Sequence, residues 1–241
     1  MYAREDEGCI MGRFKVILWD IDGTLLDFYP AEHHAICRCF KEFALGECSD
    51  ALVKEYSGIN KQYWLALELG KITKEQVLVG RFRELFAKHG IDEALAPMVN
   101  ARYQRYLGDE VYFFPGVMDT LQEFKKQGIV QCAVTNGTKV AQVRKLSKSG
   151  LDQLLDFVFI SEDVGYEKPA LEFFQKVFAA IGCSEPEKML IVGDSLTSDM
   201  EGGRRAGIHT CWFNPSRAAK TFQIDTDYEI QEIPKVRDIT R

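Results

Sequence analysis

The chain has 241 residues, 46% of them hydrophobic and 27% charged, with a formal net charge of -6 and a pI near 5.4. This composition can build a sizeable core, as one large domain or two smaller ones. The acidic balance argues against a nucleic-acid polymer as partner, since phosphate backbones call for clustered Lys and Arg, and with no apolar run of transmembrane length no membrane partner is expected.

Residues 1–12 form a polar leader carrying Arg4, Glu5, Asp6 and Glu7. It shows no signal-peptide pattern and is expected to fray, with Met11 as an alternative start. Seven cysteines are scattered along the chain (Cys9, Cys37, Cys39, Cys48, Cys132, Cys183 and Cys211), an odd number with no C-x-x-C pair. They read as reduced thiols of a cytoplasmic protein. His33 and Cys37 stand at i, i+4 but lack two further ligands, so zinc is not expected.

The apolar run Phe14–Trp19 reads as a strand buried on both faces, as in a parallel sheet. It ends abruptly in Asp20-Ile-Asp22-Gly-Thr24. Two carboxylates this close repel each other, which calls for a cation between them or a proton held on one. From about Phe28 to Tyr112 the periodicity is helical. Ala31–Ala44 is a first helix, Ser49 caps a second with Leu52, Val53 and Tyr56 on one face, and Thr73-Lys-Glu-Gln76 is a capping box for a third that runs to Lys88 and closes at Gly90. A fourth runs from Asp92 to about Tyr106, ending near Gly108. Strands and helices then alternate: helix Val117–Gln127, strand Ile129–Thr135, helix Thr138–Lys148, strand Phe157–Ile160, a helix opened by Pro169, strand Met189–Val192, helix Thr197–Ala206 and strand His209–Phe213, with a short strand near Tyr228–Ile230 in a tail that is harder to read. This alternation implies right-handed βαβ units. The expected fold is α/β: a Rossmann-like parallel sheet core over 13–27 and 113–241, interrupted by an all-helical cap over 28–112.

Chemistry-bearing residues fall at successive strand ends. Asp20 and Asp22 follow the first strand, Thr135-Asn136-Gly137 the second, Lys168-Pro169 the third after a short loop, and Gly193-Asp194-Ser195-x3-Asp199 the fourth. In a parallel sheet these ends share one edge and can converge. Each piece alone has a plainer reading, as a turn, a surface lysine or a helix cap; their joint order carries the argument. Four carboxylates suit a hard divalent cation such as Mg2+, and the cation with Lys168 suits a phosphate.

These four motifs resemble those of the haloacid dehalogenase superfamily over residues 14–213, and the helical insert resembles that superfamily's C1-type cap. Asn60-Lys61-x2-Trp64, Gly80-Arg81-Phe82 and Ile160-Ser161-Glu162-x-Val164-Gly165 look closest to its pyrimidine 5′-nucleotidases. The resemblance implies Asp20 as nucleophile forming an aspartyl-phosphate, and Asp22 as general acid and base. Mg2+ would be held by Asp20, the main-chain carbonyl of Asp22 and Asp194. Thr135, Asn136 and Lys168 would bind the phosphoryl group, with Asp199 behind them fixing the cation's waters or Lys168. A second Asp at position 22 favours phosphoryl transfer over dehalogenation. The cap would choose the leaving group, through Lys61, Trp64 and Arg81, with Tyr63 and Phe82 as further aromatics that equally suit packing within the cap.

The implied function is hydrolysis of a small phosphomonoester, a nucleoside 5′-monophosphate with pyrimidine preferred, by a monomer or homodimer. The nearest rival is a phosphatase of a small sugar phosphate or phosphoglycolate on the same scaffold. A mutase reading is weaker, and a binding protein that kept the fold without catalysis is opposed by the complete set of catalytic positions.

Overall fold

The computed structural model describes residues 13–182 and 184–241; the expectations for the leader, Cys9 and Cys183 fall outside them. Strands β1 (Val16–Trp19), β2 (Val130–Thr135), β3 (Phe157–Ile160), β4 (Met189–Gly193), β5 (His209–Phe213) and β6 (Tyr228–Ile230) form one sheet in the order β3-β2-β1-β4-β5-β6. All five pairings are parallel. The chain moves outward from β1 to β3 and then crosses back to β4 on the other side of β1. That reversal opens a crevice at the carboxyl ends of β1 and β4, where open α/β sheets bind ligands.

The continuous apolar reading of the first strand is explained by its two neighbours in depth. Ile17 and Trp19 pack on one face with Val117, Leu121, Phe124 and Val236, which come from α5 (Val117–Lys126) and α10 (Val236–Thr240). Val16 and Leu18 pack on the other with Phe173, Phe174 and Val177 of α8 (Leu171–Ile181). Residues alternate across a strand, so a strand covered by helices on both faces needs apolar residues at every position.

Between β1 and α5 lies the helical insertion: α1 (Phe28–Glu42), α2 (Asp50–Glu68), α3 (Lys74–His89) and α4 (Ala96–Asp109). These helices share an apolar cluster that includes Ile36, Phe40, Val53, Tyr56, Phe82, Phe86 and Tyr103. Ser49 caps α2, and Thr73 with Gln76 forms the reciprocal capping box of α3, which closes at left-handed Gly90. α4 ends at Asp109, next to Gly108 as expected, and a Cβ on Gly108 would sit 3.0 Å from the Ala141 carbonyl, so glycine here also allows α4 to approach α6 (Lys139–Ser149).

Two boundaries differ from expectation. Ala170 is extended, so α8 begins at Leu171 and not at Pro169. Residues Leu196–Met200 form a widened π turn before α9 (Glu201–Ala206), in place of one continuous helix from Thr197. The short helix α7 (Ser161–Val164), ended by left-handed Gly165, was not foreseen either. Among the described residues no helix is long and apolar enough to cross a membrane.

Candidate active site

Asp20 stands one residue past β1, its N–H donating to the Val192 carbonyl of β4 at 2.9 Å. Its carboxylate accepts a hydrogen bond from Lys168 Nζ at 2.8 Å, and the same ammonium donates to Asp199 at 2.6 Å and to the Val134 carbonyl at 2.7 Å. Lys168 is 1% exposed, and these three bonds use its three donors. The Asn136 side chain grips the Lys168 main chain from both sides, accepting from its N–H and donating to its carbonyl, each at 2.8 Å. Thr135 lies buried beside it, its hydroxyl accepting from the Gly137 N–H. The ends of β1, β2 and β4 and the loop before α8 are thus locked together around one ammonium.

Asp194 follows β4 and faces Asp20 across the crevice. Gly23 makes this approach possible: its φ is +92°, and a Cβ there would lie 2.6 Å from Asp194 Oδ2. Gly193 likewise leaves the space that the Asp199 carboxyl fills, and the π turn brings that carboxyl back under Lys168. Oxygens of Asp20, Asp194 and Asp199 all lie within 4.8 Å of one another, the one such His/Cys/Asp/Glu grouping among the described residues. His33 pairs with Asp50, and Cys37 lies against Cys48.

Burial pushes Asp20 up to about 7; Lys168 opposes this and Asp199 reinforces it. Asp194 opens onto the cavity but lies deep in the protein. Loss of water, then the charges of Asp20, Asp199 and Glu68, hold it well above the ordinary carboxylate range. Burial also raises Asp199 against the pull of Lys168. For Lys168 itself burial works against the charge, but Asp199 and Asp20 outweigh it and keep the ammonium protonated. Three carboxylates against one ammonium leave negative charge that a hard divalent cation would neutralise, so the donor set fits Mg2+.

A pH dependence of stability follows. Carboxyls raised in the folded state bind more protons there than in the unfolded chain, so without metal, stability falls as pH rises from the ordinary range near 4 through about 7. Added Mg2+ should raise the melting temperature more at pH 8 than at pH 5.5, because protons compete for the same oxygens. Calorimetry at both pH values checks this, and Asp194→Asn should flatten the difference.

Asp22 lines the same cavity and has partners of its own. Its carboxylate turns toward α6, accepting from Gln142 Nε2 at 2.6 Å and from Lys145 Nζ. Lys145 is 1% exposed and lies 5.1 Å from the Phe28 ring centroid. Each of the neighbouring carboxylates therefore has an ammonium of its own, Lys168 for Asp20 and Lys145 for Asp22. Gly137 is part of this arrangement, because a Cβ at that position would overlap the Gln142 amide.

The insertion covers the crevice and encloses with it a cavity of about 820 Å³. Glu68, the last residue of α2, accepts hydrogen bonds from Ser195 and Thr197 of the π-turn region. Lys74 at the start of α3 donates to the Gly137 carbonyl and to Ser161. Lys61 is exposed and Trp64 half-buried, and both line the cavity. Arg81 also lines it, but its guanidinium is buried, with Nη1 on Asn60 at 2.5 Å and Nη2 on Asn100 at 3.1 Å. Phe82 lies in the core of the insertion, and Tyr63 packs over Gly80, so neither aromatic is presented to the cavity. Gln142, Lys145 and Glu68 were not singled out by sequence. The first two are i, i+3 on a helix that reads as ordinary and amphipathic, and Glu68 follows no motif at all.

The profile of the haloacid dehalogenase-like hydrolases matches residues 17–213. The HAD-hydrolase YfnB of Bacillus subtilis is 35% identical over 95% of this chain and 96% of its own length. Its crystal structure, described as bound to magnesium and as revealing interdomain movement, aligns with a TM-score of 0.88 at 34% identity, covering 95% of this chain and 99% of that one. The pyrimidine 5′-nucleotidase PynA of Streptococcus pneumoniae is 36% identical over 93% of this chain and 94% of its length. The pyrimidine 5′-nucleotidase YjjG of Escherichia coli is 27% identical over 90% and 96%.

Proposed function

This chain belongs to the haloacid dehalogenase-like hydrolases, and from that premise we propose that it is a Mg2+-dependent cytoplasmic phosphatase of nucleoside 5′-monophosphates, with pyrimidine bases preferred. The observation that carries the reading is the junction of Asp20, Asp194, Asp199 and Lys168 at the sheet's switch point, under a helical cover that closes a cavity much larger than a phosphate. Likeness to PynA and YjjG supports the nucleotide as substrate.

Asp20 attacks phosphorus, and the bond to the leaving alkoxide breaks as an aspartyl-phosphate forms. Asp20, Asp194 and the Asp22 carbonyl would hold Mg2+, which supplies the charge that lets a carboxylate approach a phosphate dianion. Lys168 keeps the Asp20 oxygen oriented and presents positive charge to the phosphoryl group, and Thr135, which lines the same cavity, would donate its hydroxyl to that group. Asn136 acts largely by fixing the Lys168 main chain. Asp199 orients Lys168 from below. Asp22 protonates the leaving oxygen and afterwards takes a proton from the water that attacks the intermediate. To do so it exchanges Gln142 and Lys145 for the substrate's leaving oxygen.

Trp64 offers a face to the base and Lys61 a charge at the cavity mouth. Phosphate release measured across nucleoside 5′-monophosphates, sugar phosphates and phosphoglycolate tests the proposal. UMP, dUMP or dTMP should lead, and Trp64→Ala should lower kcat/KM for them by about tenfold, a stacking contact of ~1–3 kcal/mol, while leaving p-nitrophenyl phosphate unchanged. A sugar phosphate or phosphoglycolate in the lead would overturn the substrate and keep the chemistry.

A further inference from the structure

Helix α2 lays one stripe along the cavity: Lys61, Trp64 and Glu68 stand at i, i+3 and i+7, and all three line it. At 1.5 Å per residue the stripe is about 10 Å long. Glu68 marks its end at the catalytic carboxylates. Oε2 of Glu68 accepts from the hydroxyl of Ser195, the residue after Asp194, at 3.0 Å, and from the hydroxyl of Thr197. Ser195 Oγ itself accepts from the Ser198 N–H at 3.1 Å, which leaves its own hydrogen for Glu68. Two donors on one oxygen are the pattern of an ionised carboxylate. Burial raises Glu68, while Thr197, Ser195 and Lys168 oppose that rise. Its charge is in turn one of those that raise Asp194 and Asp199. Oε1 has no hydrogen-bond partner among the described residues.

This carboxylate has no part in the chemistry set out above, and it adds negative charge beside a site that must receive a phosphate dianion. The ammoniums at this end are already engaged, Lys168 with Asp20 and Asp199 and Lys145 with Asp22. Lys61 belongs to the far end of the stripe. Charge along α2 therefore runs from negative beside the phosphoryl site to positive at the cavity mouth.

Resting on the phosphatase reading above, we propose that Glu68 is a specificity-determining residue of the cap: it admits leaving groups that carry a hydroxyl beside the ester oxygen and refuses those that carry a negative charge there. A hydroxyl can donate to Oε1. A carboxylate or second phosphate in the same place meets like charge where water is largely excluded. Placing such a charge is how a site turns away a close competitor of its substrate.

The test compares kcat/KM for 2-hydroxyethyl phosphate and phosphoglycolate, small esters that differ in a hydroxymethyl group against a carboxylate, and for UMP, in wild type, Glu68→Gln and Thr197→Val. The wild type should favour 2-hydroxyethyl phosphate over phosphoglycolate by about tenfold or more. Glu68→Gln keeps an oxygen for Ser195 and Thr197 and loses the charge. It should raise kcat/KM for phosphoglycolate by about tenfold, mainly through KM, and leave 2-hydroxyethyl phosphate and UMP near the wild-type level. Thr197→Val removes a bond to Glu68 but not its charge, and should leave the ratio of the two small esters as it is in the wild type. A wild type that prefers phosphoglycolate overturns the proposal outright. So does an unchanged ratio in Glu68→Gln, or a ratio moved as far by Thr197→Val; UMP leading in the wild type would then still uphold the nucleotidase reading. If a small ester leads over UMP while Glu68→Gln narrows the gap between the two small esters, the nucleotidase reading falls and Glu68 keeps its role. Should Glu68→Gln not fold, Glu68→Ala must narrow the same gap, and a gap left at the wild-type value overturns the proposal equally.

Discussion

Asp20→Asn should abolish Mg2+-dependent phosphate release, by about 10⁴-fold or more, while leaving the protein at least as stable as the wild type. The loss is large because the substitution removes the nucleophile itself, and no neighbouring oxygen stands in its place. Asp199 is nearest in kind, but its carboxylate is spent on Lys168 and on the Ser195 N–H. The stability half of the expectation comes from electrostatics. An Asp held near pH 7 by burial and by Asp199 is a carboxylate that the folded chain would prefer to neutralise. The amide is neutral and isosteric, and in metal-free buffer above pH 7 its melting temperature should equal or exceed that of the wild type. Together the two measurements separate a lost nucleophile from a lost fold. Substantial activity in Asp20→Asn would sink the assigned chemistry, and a wild type inactive on every phosphomonoester would favour a binding protein that kept the fold.

The opposite pairing is expected of Lys168→Met, which should lose both activity and stability. Lys168 is fully buried and bonded to Asp20, Asp199 and the Val134 carbonyl. A methionine fills the space of the stem but leaves two buried carboxylates facing each other with no cation. Breaking a buried pair in this way costs roughly 3–5 kcal/mol, about 10 °C in melting temperature for a domain of this size. Activity should fall by about 10³-fold, because Asp20 loses its orientation and the phosphoryl group loses its fixed positive charge. Mg2+ should restore part of the stability and little of the activity, since the cation can offset the carboxylates but cannot take the place of the ammonium. Thermal melts with and without Mg2+ check this, and a variant as stable as the wild type would mean that Lys168 does not hold the two carboxylates together.

The sequence by itself determined the sheet, the helical insertion and the order in which chemistry meets the strand ends. These are local matters. A strand covered on both faces must be apolar throughout, as Val16–Trp19 is, and a capping box such as Thr73–Gln76 satisfies its own N–H groups whatever lies beyond. Glycines at 23, 137 and 193 were visible as motif letters, but their reason was not: Gly23 leaves room for the distant Asp194, and Gly137 and Gly193 for Gln142 and Asp199 of the helical turns that follow them. Only the tertiary structure decided which charge meets which. It gave Asp20 to Lys168 and Asp22 to Lys145, turned Asn136 onto the Lys168 main chain, and brought Glu68 from the end of α2 onto the π turn. It also buried Arg81, withdrew Phe82 and Tyr63 from the cavity, and gathered Glu32, Asn60 and Gln104 from three different helices. Partners of this kind are set by which helix faces meet across the crevice. Spacing along the chain carries no record of that, because the pairings span from 21 to 148 positions.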